Sequence, residues 1–99
     1  LAMSKIEEIW NRINTHKGVE GIIIIDSMGT AIKSTLDQTK TIEYGSLVNQ
    51  FRERVSSAIK AIHSGEEIMF IRIRSEKNEI MIAPDSEFSL IVVQNPSEE

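Results

Sequence analysis

An α+β fold is what this sequence predicts: one five-stranded antiparallel sheet with helices on both faces, in the order α-β-β-α-β-β-β. Three observations carry it. Four isoleucines stand in a row at Ile22 to Ile25, a β-branched run that leaves no face for water and so needs cover on both sides. Apolar residues then keep helical spacing through Tyr44, Leu47, Val48, Phe51, Val55, Ala58, Ile59 and Ile62. Finally EEIMFIRIR, EIMIAP and FSLIVVQ follow one another with only SEKN and DSE between them, the lengths of hairpin turns.

Taken in order, Ser4 and Glu7 form a capping box ahead of Ile6, Ile9, Trp10 and Ile13, whose spacing is that of a short amphipathic helix. Gly18 is its expected stop. Val19 to Asp26 reads as the first strand, Ser27-Met28-Gly29 as a hairpin connection, and Thr30 to Thr35 as a short polar second strand. After a polar link from Leu36 to Lys40, Thr39 or Thr41 is expected to cap a long helix reaching Ile62. Its other face carries Glu43, Asn49, Arg52, Glu53, Ser56 and Lys60, a solvated pattern. Pro84 ends the fourth strand by removing a backbone donor, and Asn95-Pro96 ends the fifth.

A chain of 99 residues has room for one domain, and 40% apolar with 26% charged residues is ordinary globular composition. Leu1 and Ala2 ahead of Met3 look like a tag remnant; residues 4–97 read as the domain, and Glu98 and Glu99 as an acidic tail. The net charge of −4 disfavours nucleic acid and anionic membrane, and the absence of cysteine leaves no thiolate chemistry and no disulfide framework. No apolar run reaches the roughly 18 residues of a membrane-spanning helix. The chain reads as cytoplasmic.

Catalytic constellations are wanting. His16 and His63 lie at separate helix ends, and Asp26, Asp37 and Asp85 sit where aspartate favours turns, so no nucleophile, base and orienter assemble. GVEG leads into a strand rather than joining two helices, unlike the loop that clamps nucleic acid. Arg72 and Arg74 share one strand face that could bind phosphate or carboxylate, but ordinary cross-strand pairing, for instance with Glu79, is the expected role. No cofactor, metal or catalytic residue is expected.

A physical problem remains at the sheet edges. If the first strand pairs with the fifth, the edges are the second strand and the third, and IMFIRI on the third is apolar and open to aggregation. Pairing with its own copy would continue the sheet across a two-fold axis and set the long helices side by side. Tyr44, Leu47, Val48, Phe51 and Val55 are the expected seam of that homodimer, with Ile68, Phe70, Arg72 and Arg74 along the strand.

KGVEGIIIIDSMGTAIKSTLD (Lys17 to Asp37) and FIRIRSEKNEIMIAPDSEFSLIVVQNP (Phe70 to Pro96) together resemble the roadblock-type light chains of dynein. The likeness extends through the loops, at Lys33-Ser34-Thr35, Lys77-Asn78-Glu79-Ile80 and Ala83-Pro84-Asp85. The resemblance implies the roadblock/profilin-like fold and a non-catalytic homodimer that binds the dynein intermediate chain, helping assemble the cargo-carrying tail of a microtubule motor. Cytoskeletal or ciliary placement and contact with cargo adaptors would follow. Distant relatives scaffold or regulate small GTPases, which is the alternative. A partner's amphipathic segment is expected on the apolar helix surface, around Arg52 and Ile59 of the second helix or Ile9, Trp10 and Ile13 of the first.

Overall fold

The computed structural model describes residues 3–85 and 87–96, the first four by backbone only. Its elements are α1 (Met3–Asn14), β1 (Val19–Asp26), β2 (Ala31–Ser34), α2 (Gln38–Ile62), β3 (Ile71–Arg74), β4 (Glu79–Pro84) and β5 (Phe88–Gln94). The strands form one sheet in the order β2-β1-β5-β4-β3, antiparallel throughout. The expected architecture is present, with β2 and β3 as its edges.

The isoleucine run explains the layering. Because successive strand side chains point to opposite faces, Ile22 and Ile24 join Trp10 of α1 on one face. Ile23 and Ile25 join Val48 of α2, Ile82 and Ile91 on the other. All four isoleucines are at most 2% exposed, and burying each contributes roughly 2 kcal/mol. The central strand is thus shared by two hydrophobic clusters, and α1 and α2 cover opposite faces.

Local chemistry sets the element ends. Asp26 Oδ1 accepts from the backbone N–H groups of Met28 and Thr30, both at 2.9 Å, closing the β1–β2 turn. Gly29 in that turn has φ of +88°, where a side chain is strained, and a Cβ on Gly45 of α2 would stand 2.8 Å from the Gly29 carbonyl oxygen. Backbone therefore packs on backbone where α2 crosses the turn. A one-residue bulge leaves Ile32 of β2 unpaired, since Lys33 opposes Ile24 and Ala31 opposes Ile25.

Four expectations require correction. The cap of α2 is Asp37, whose carboxylate accepts from Lys40 N–H at 2.8 Å, rather than Thr39 or Thr41. Thr41 is buried one turn inside, its hydroxyl 2.7 Å from Ser34 Oγ and thereby tying α2 to β2. Helix α1 already includes Met3, so Ser4 lies within it, and the Ser4 side chain is outside the described residues. The second strand is shorter than Thr30 to Thr35, spanning Ala31–Ser34.

The fourth correction concerns β3, which pairs over Ile71–Arg74 only. Continuing its register from Ile71 opposite Ile82 would set Met69 against Pro84, which has no N–H to give. Beyond it Asp85 N–H closes the next turn onto Phe88 O at 2.8 Å. Residues 67–70 therefore run on without a partner strand.

Candidate interaction site

The β3 edge gathers exposed apolar surface. Met69 is 82% exposed and Phe70 54%, and Ile73 is exposed as well; on α2, Leu47 is exposed too. Ile68, Tyr44, Phe51 and Val55 are half-buried. On α2 the sheet-facing line is Thr41, Gly45 and Val48. Tyr44, Leu47, Phe51, Val55 and Ile62 follow helical spacing along a neighbouring stripe, which the protomer's own sheet leaves partly uncovered.

Three residues proposed for contact from the sequence are occupied within the protomer. Val48 is fully buried in the α2-side core and offers no surface to a seam. Trp10 is 6% exposed against Ile22 and Ile24, with Lys33 Nζ 4.6 Å from its ring centroid. It anchors α1. Arg52 does not belong to the solvated face: its guanidinium donates to Ser89 Oγ, the hydroxyl of a residue that is 1% exposed. A buried hydroxyl needs a partner, and that need draws Arg52 onto the sheet. Ile9, Ile13 and Ile59 remain half-buried on their helices.

The expected Arg72–Glu79 pair is present and reaches further than expected. Arg72 Nε donates to Glu79 Oε2 at 2.7 Å and Nη2 to Oε1 at 3.1 Å, a fork on a carboxylate whose side chain is 3% exposed. Gln94 Nε2 donates to the same carboxylate at 2.6 Å. The Arg72 hydrogen bond is the main cause that holds the Glu79 pKa below its ordinary value, against the upward push of burial. Residue 74, directly opposite Glu79 in register, turns instead to the Ser75 carbonyl at 3.2 Å.

Beside this network the α1 face is only half covered. A groove of about 450 Å³ runs between the end of α1 and the sheet, lined by Ile13, His16, Lys17, Val19, Met81, Val92 and Gln94. Ile13 was expected at a partner surface and His16 only at a helix end, whereas Met81, Val92 and Gln94 were not singled out from the sequence. The signal was there in the strand alternation, since Ile22, Val92, Met81 and Arg72 form one row across four strands. That row becomes visible only once the register is known.

The sequence model of the Roadblock/LC7 domain matches residues 5–95. The chain belongs to the Roadblock/LC7 family. A Roadblock/LC7 domain from Streptomyces avermitilis superposes with a TM-score of 0.82 at 11% identity, covering 91% of this chain and 77% of that one. MglB from Myxococcus xanthus gives a TM-score of 0.78 at 18% identity, with 100% and 82% covered. An MglB in a tetrameric arrangement gives 0.78 at 13%, with 96% and 74% covered. At such identities the likeness is one of fold. Among the described residues no helix is long and apolar enough to cross a membrane.

Proposed function

We propose that this Roadblock/LC7 chain is a non-catalytic homodimeric scaffold whose two β3 edges pair across a two-fold axis. One observation carries the reading: Met69, Phe70 and Ile73 expose large apolar side chains at and just before an edge strand that has only one neighbour. Antiparallel pairing of Ile71–Arg74 with its copy, flanked by Ile68 and Phe70, would satisfy the open backbone groups. The α2 helices, meeting through Tyr44, Leu47, Phe51 and Val55, would cover the apolar stripe. The tetrameric arrangement of a similarly folded MglB supports self-association.

As to partner, the loop-by-loop resemblance to roadblock-type dynein light chains supports the dynein intermediate chain. Two copies held by one dimer gain avidity through linkage alone. In this reading the protein works in the cytoplasm on the cytoskeleton, ciliary motors included, and links the motor tail to cargo adaptors. A second reading, a scaffold or regulator of a small GTPase, draws its support from the fold neighbours, which are of the MglB kind.

Titration calorimetry against an intermediate-chain fragment, with sedimentation of the free protein, tests both levels. A dimer that saturates at two fragments per dimer supports the dynein reading. A folded dimer that ignores the fragment but binds a nucleotide-loaded small GTPase moves the assignment to the second, and a monomer at micromolar concentration removes the scaffold.

A further inference from the structure

We infer that Met69 is an oxidation site at which a hydroperoxide switches the self-association of this chain, an inference that rests on the dimer proposed above. The chain has four methionines and no cysteine, so a thioether is the only sulfur that a peroxide can meet. Met69 is the most exposed large apolar side chain among the described residues, at 82%, and Met28 follows at 80%. Met81 is half-buried. In the protomer two sulfurs therefore stand equally open to water, one toward each edge of the sheet.

Their surroundings differ. Met28 lies in the β1–β2 turn, beside the edge that is closed within the protomer. Met69 stands two residues before β3, in the segment that Pro84 leaves without a partner strand. It lines a groove of about 640 Å³ together with Ser56 and Ser57, which puts it on the α2 side of the sheet. A two-fold axis through the middle of Ile71–Arg74 would set residue 69 opposite the β3–β4 turn of the copy, the turn that Ser75 N–H closes onto the Asn78 carbonyl at 2.9 Å. Self-association would thus cover Met69 and leave Met28 in water.

The chemical step needs only the peroxide. A lone pair of Met69 Sδ attacks one peroxide oxygen, an S–O bond forms and the O–O bond breaks. The proton of the transferred oxygen passes to the departing hydroxide, which leaves as water. Sulfur loses two electrons and the peroxide gains them. An apolar thioether becomes a polar sulfoxide that accepts hydrogen bonds. In the free protomer, water and the hydroxyls of Ser56 and Ser57 in the same groove can donate to it. Covered by a copy of the chain, the sulfoxide would give up its water, so oxidation favours the separate protomer. Two thiols reverse the step through a methionine sulfoxide reductase, yielding a disulfide and water. A scaffold held apart in this way carries one partner segment instead of two and loses the avidity of linkage.

The test treats the full chain with dilute hydrogen peroxide at a low and a high protein concentration, maps oxidation by peptide mass spectrometry and reads association by sedimentation. Where the chain is monomeric, Met28 and Met69 should oxidise within about twofold of each other, and Met81 more slowly. Where it is dimeric, Met69 should slow about tenfold and Met28 should not change. With both copies oxidised the dissociation constant should rise about 100-fold, about tenfold for each sulfoxide, while the far-UV circular dichroism stays the same. Sulfoxide reductase with dithiothreitol should restore the dimer. Met28→Leu should keep the response to peroxide. Met69→Leu should lose it, with one dissociation constant before and after treatment. Met69→Gln, a polar side chain of similar length, should weaken the dimer with no peroxide present.

Equal protection of Met28 and Met69 in the dimer, a dissociation constant indifferent to oxidation, the same response in Met69→Leu, or a loss of circular dichroism would each overturn the inference and leave the dimer standing. An untreated chain that stays monomeric at every concentration overturns the dimer, and the switch with it.

Discussion

The two edges of the sheet solve the same physical problem in opposite ways. Strand β2 is finished within the protomer. It is four residues long, bulged at Ile32, and fixed to α2 through Ser34 and Thr41. Thr35, just past its end, holds it to β1, exchanging backbone and hydroxyl hydrogen bonds with Ile22. Lys33 lies over Trp10 and closes its α1 side. Strand β3 is equally short, yet neither helix approaches it closely, and the chain leading into it exposes Met69 and Phe70. An edge that is blunted, bulged and tied down ends a sheet; one left flat and apolar invites another chain. Length alone does not distinguish the two.

The contrast breaks most directly at Phe70. Phe70→Asp places a charge beside the proposed pairing edge, and the dimer should weaken at least about 100-fold, a loss of roughly 3 kcal/mol. Sedimentation at micromolar concentration should then show monomer, and a persistent dimer would shift the interface elsewhere. The matching change at the finished edge, Ile32→Asp, should leave the dimer intact.

Next in size is Gly45→Val, which drives a side chain into the Gly29 carbonyl and should cost about 2 kcal/mol in urea unfolding. Stability near the wild type would mean that α2 can lift off the turn. This tests how firmly the β2 half of the molecule is closed.

At the β3 end, the depressed pKa of Glu79 makes stability depend on acid. Its contribution is present above the unfolded-state value near 4.5 and is lost as pH falls through the lower folded-state value. Arg72→Ala removes the main cause of the depression, so the difference in stability between wild type and variant should shrink as the solution is acidified through that window. A difference independent of pH would show that Arg72 acts by packing alone. The smallest effect is expected from Lys33→Ala, about 0.5 kcal/mol in chemical denaturation, from the loss of an exposed cation over Trp10.

Much of the fold was legible because it rests on local pattern. The bounds of β1, β4 and β5, the isoleucines shared between two faces, and the stop at Pro84 all follow from alternation, β-branching and a missing donor. The cap of α2 was misplaced because three polar residues compete within one turn, and the choice among them is a matter of geometry. Asp37 reaches the Lys40 N–H, whereas Thr41 is drawn toward Ser34. The interaction surfaces were less legible. Leu47 and Val48 are adjacent in the sequence and both apolar, yet one is 55% exposed and the other fully buried. Helical spacing defines a stripe wider than the sheet can cover, and only the docked helix shows which half remains outside.

By itself, then, the sequence determined the number, kind and order of the elements, the sheet with open β2 and β3 ends, and the resemblance that led to the family. Those features depend on residues near one another in the chain. Tertiary structure alone decided that Trp10, Val48 and Arg52 turn inward, that Glu79 is held by both Arg72 and Gln94, and that Met81 and Val92 floor a groove beside the end of α1. Each of these depends on strand register and helix docking, which join residues distant in sequence, and a shift of one residue in a strand would send every one of its side chains to the opposite face.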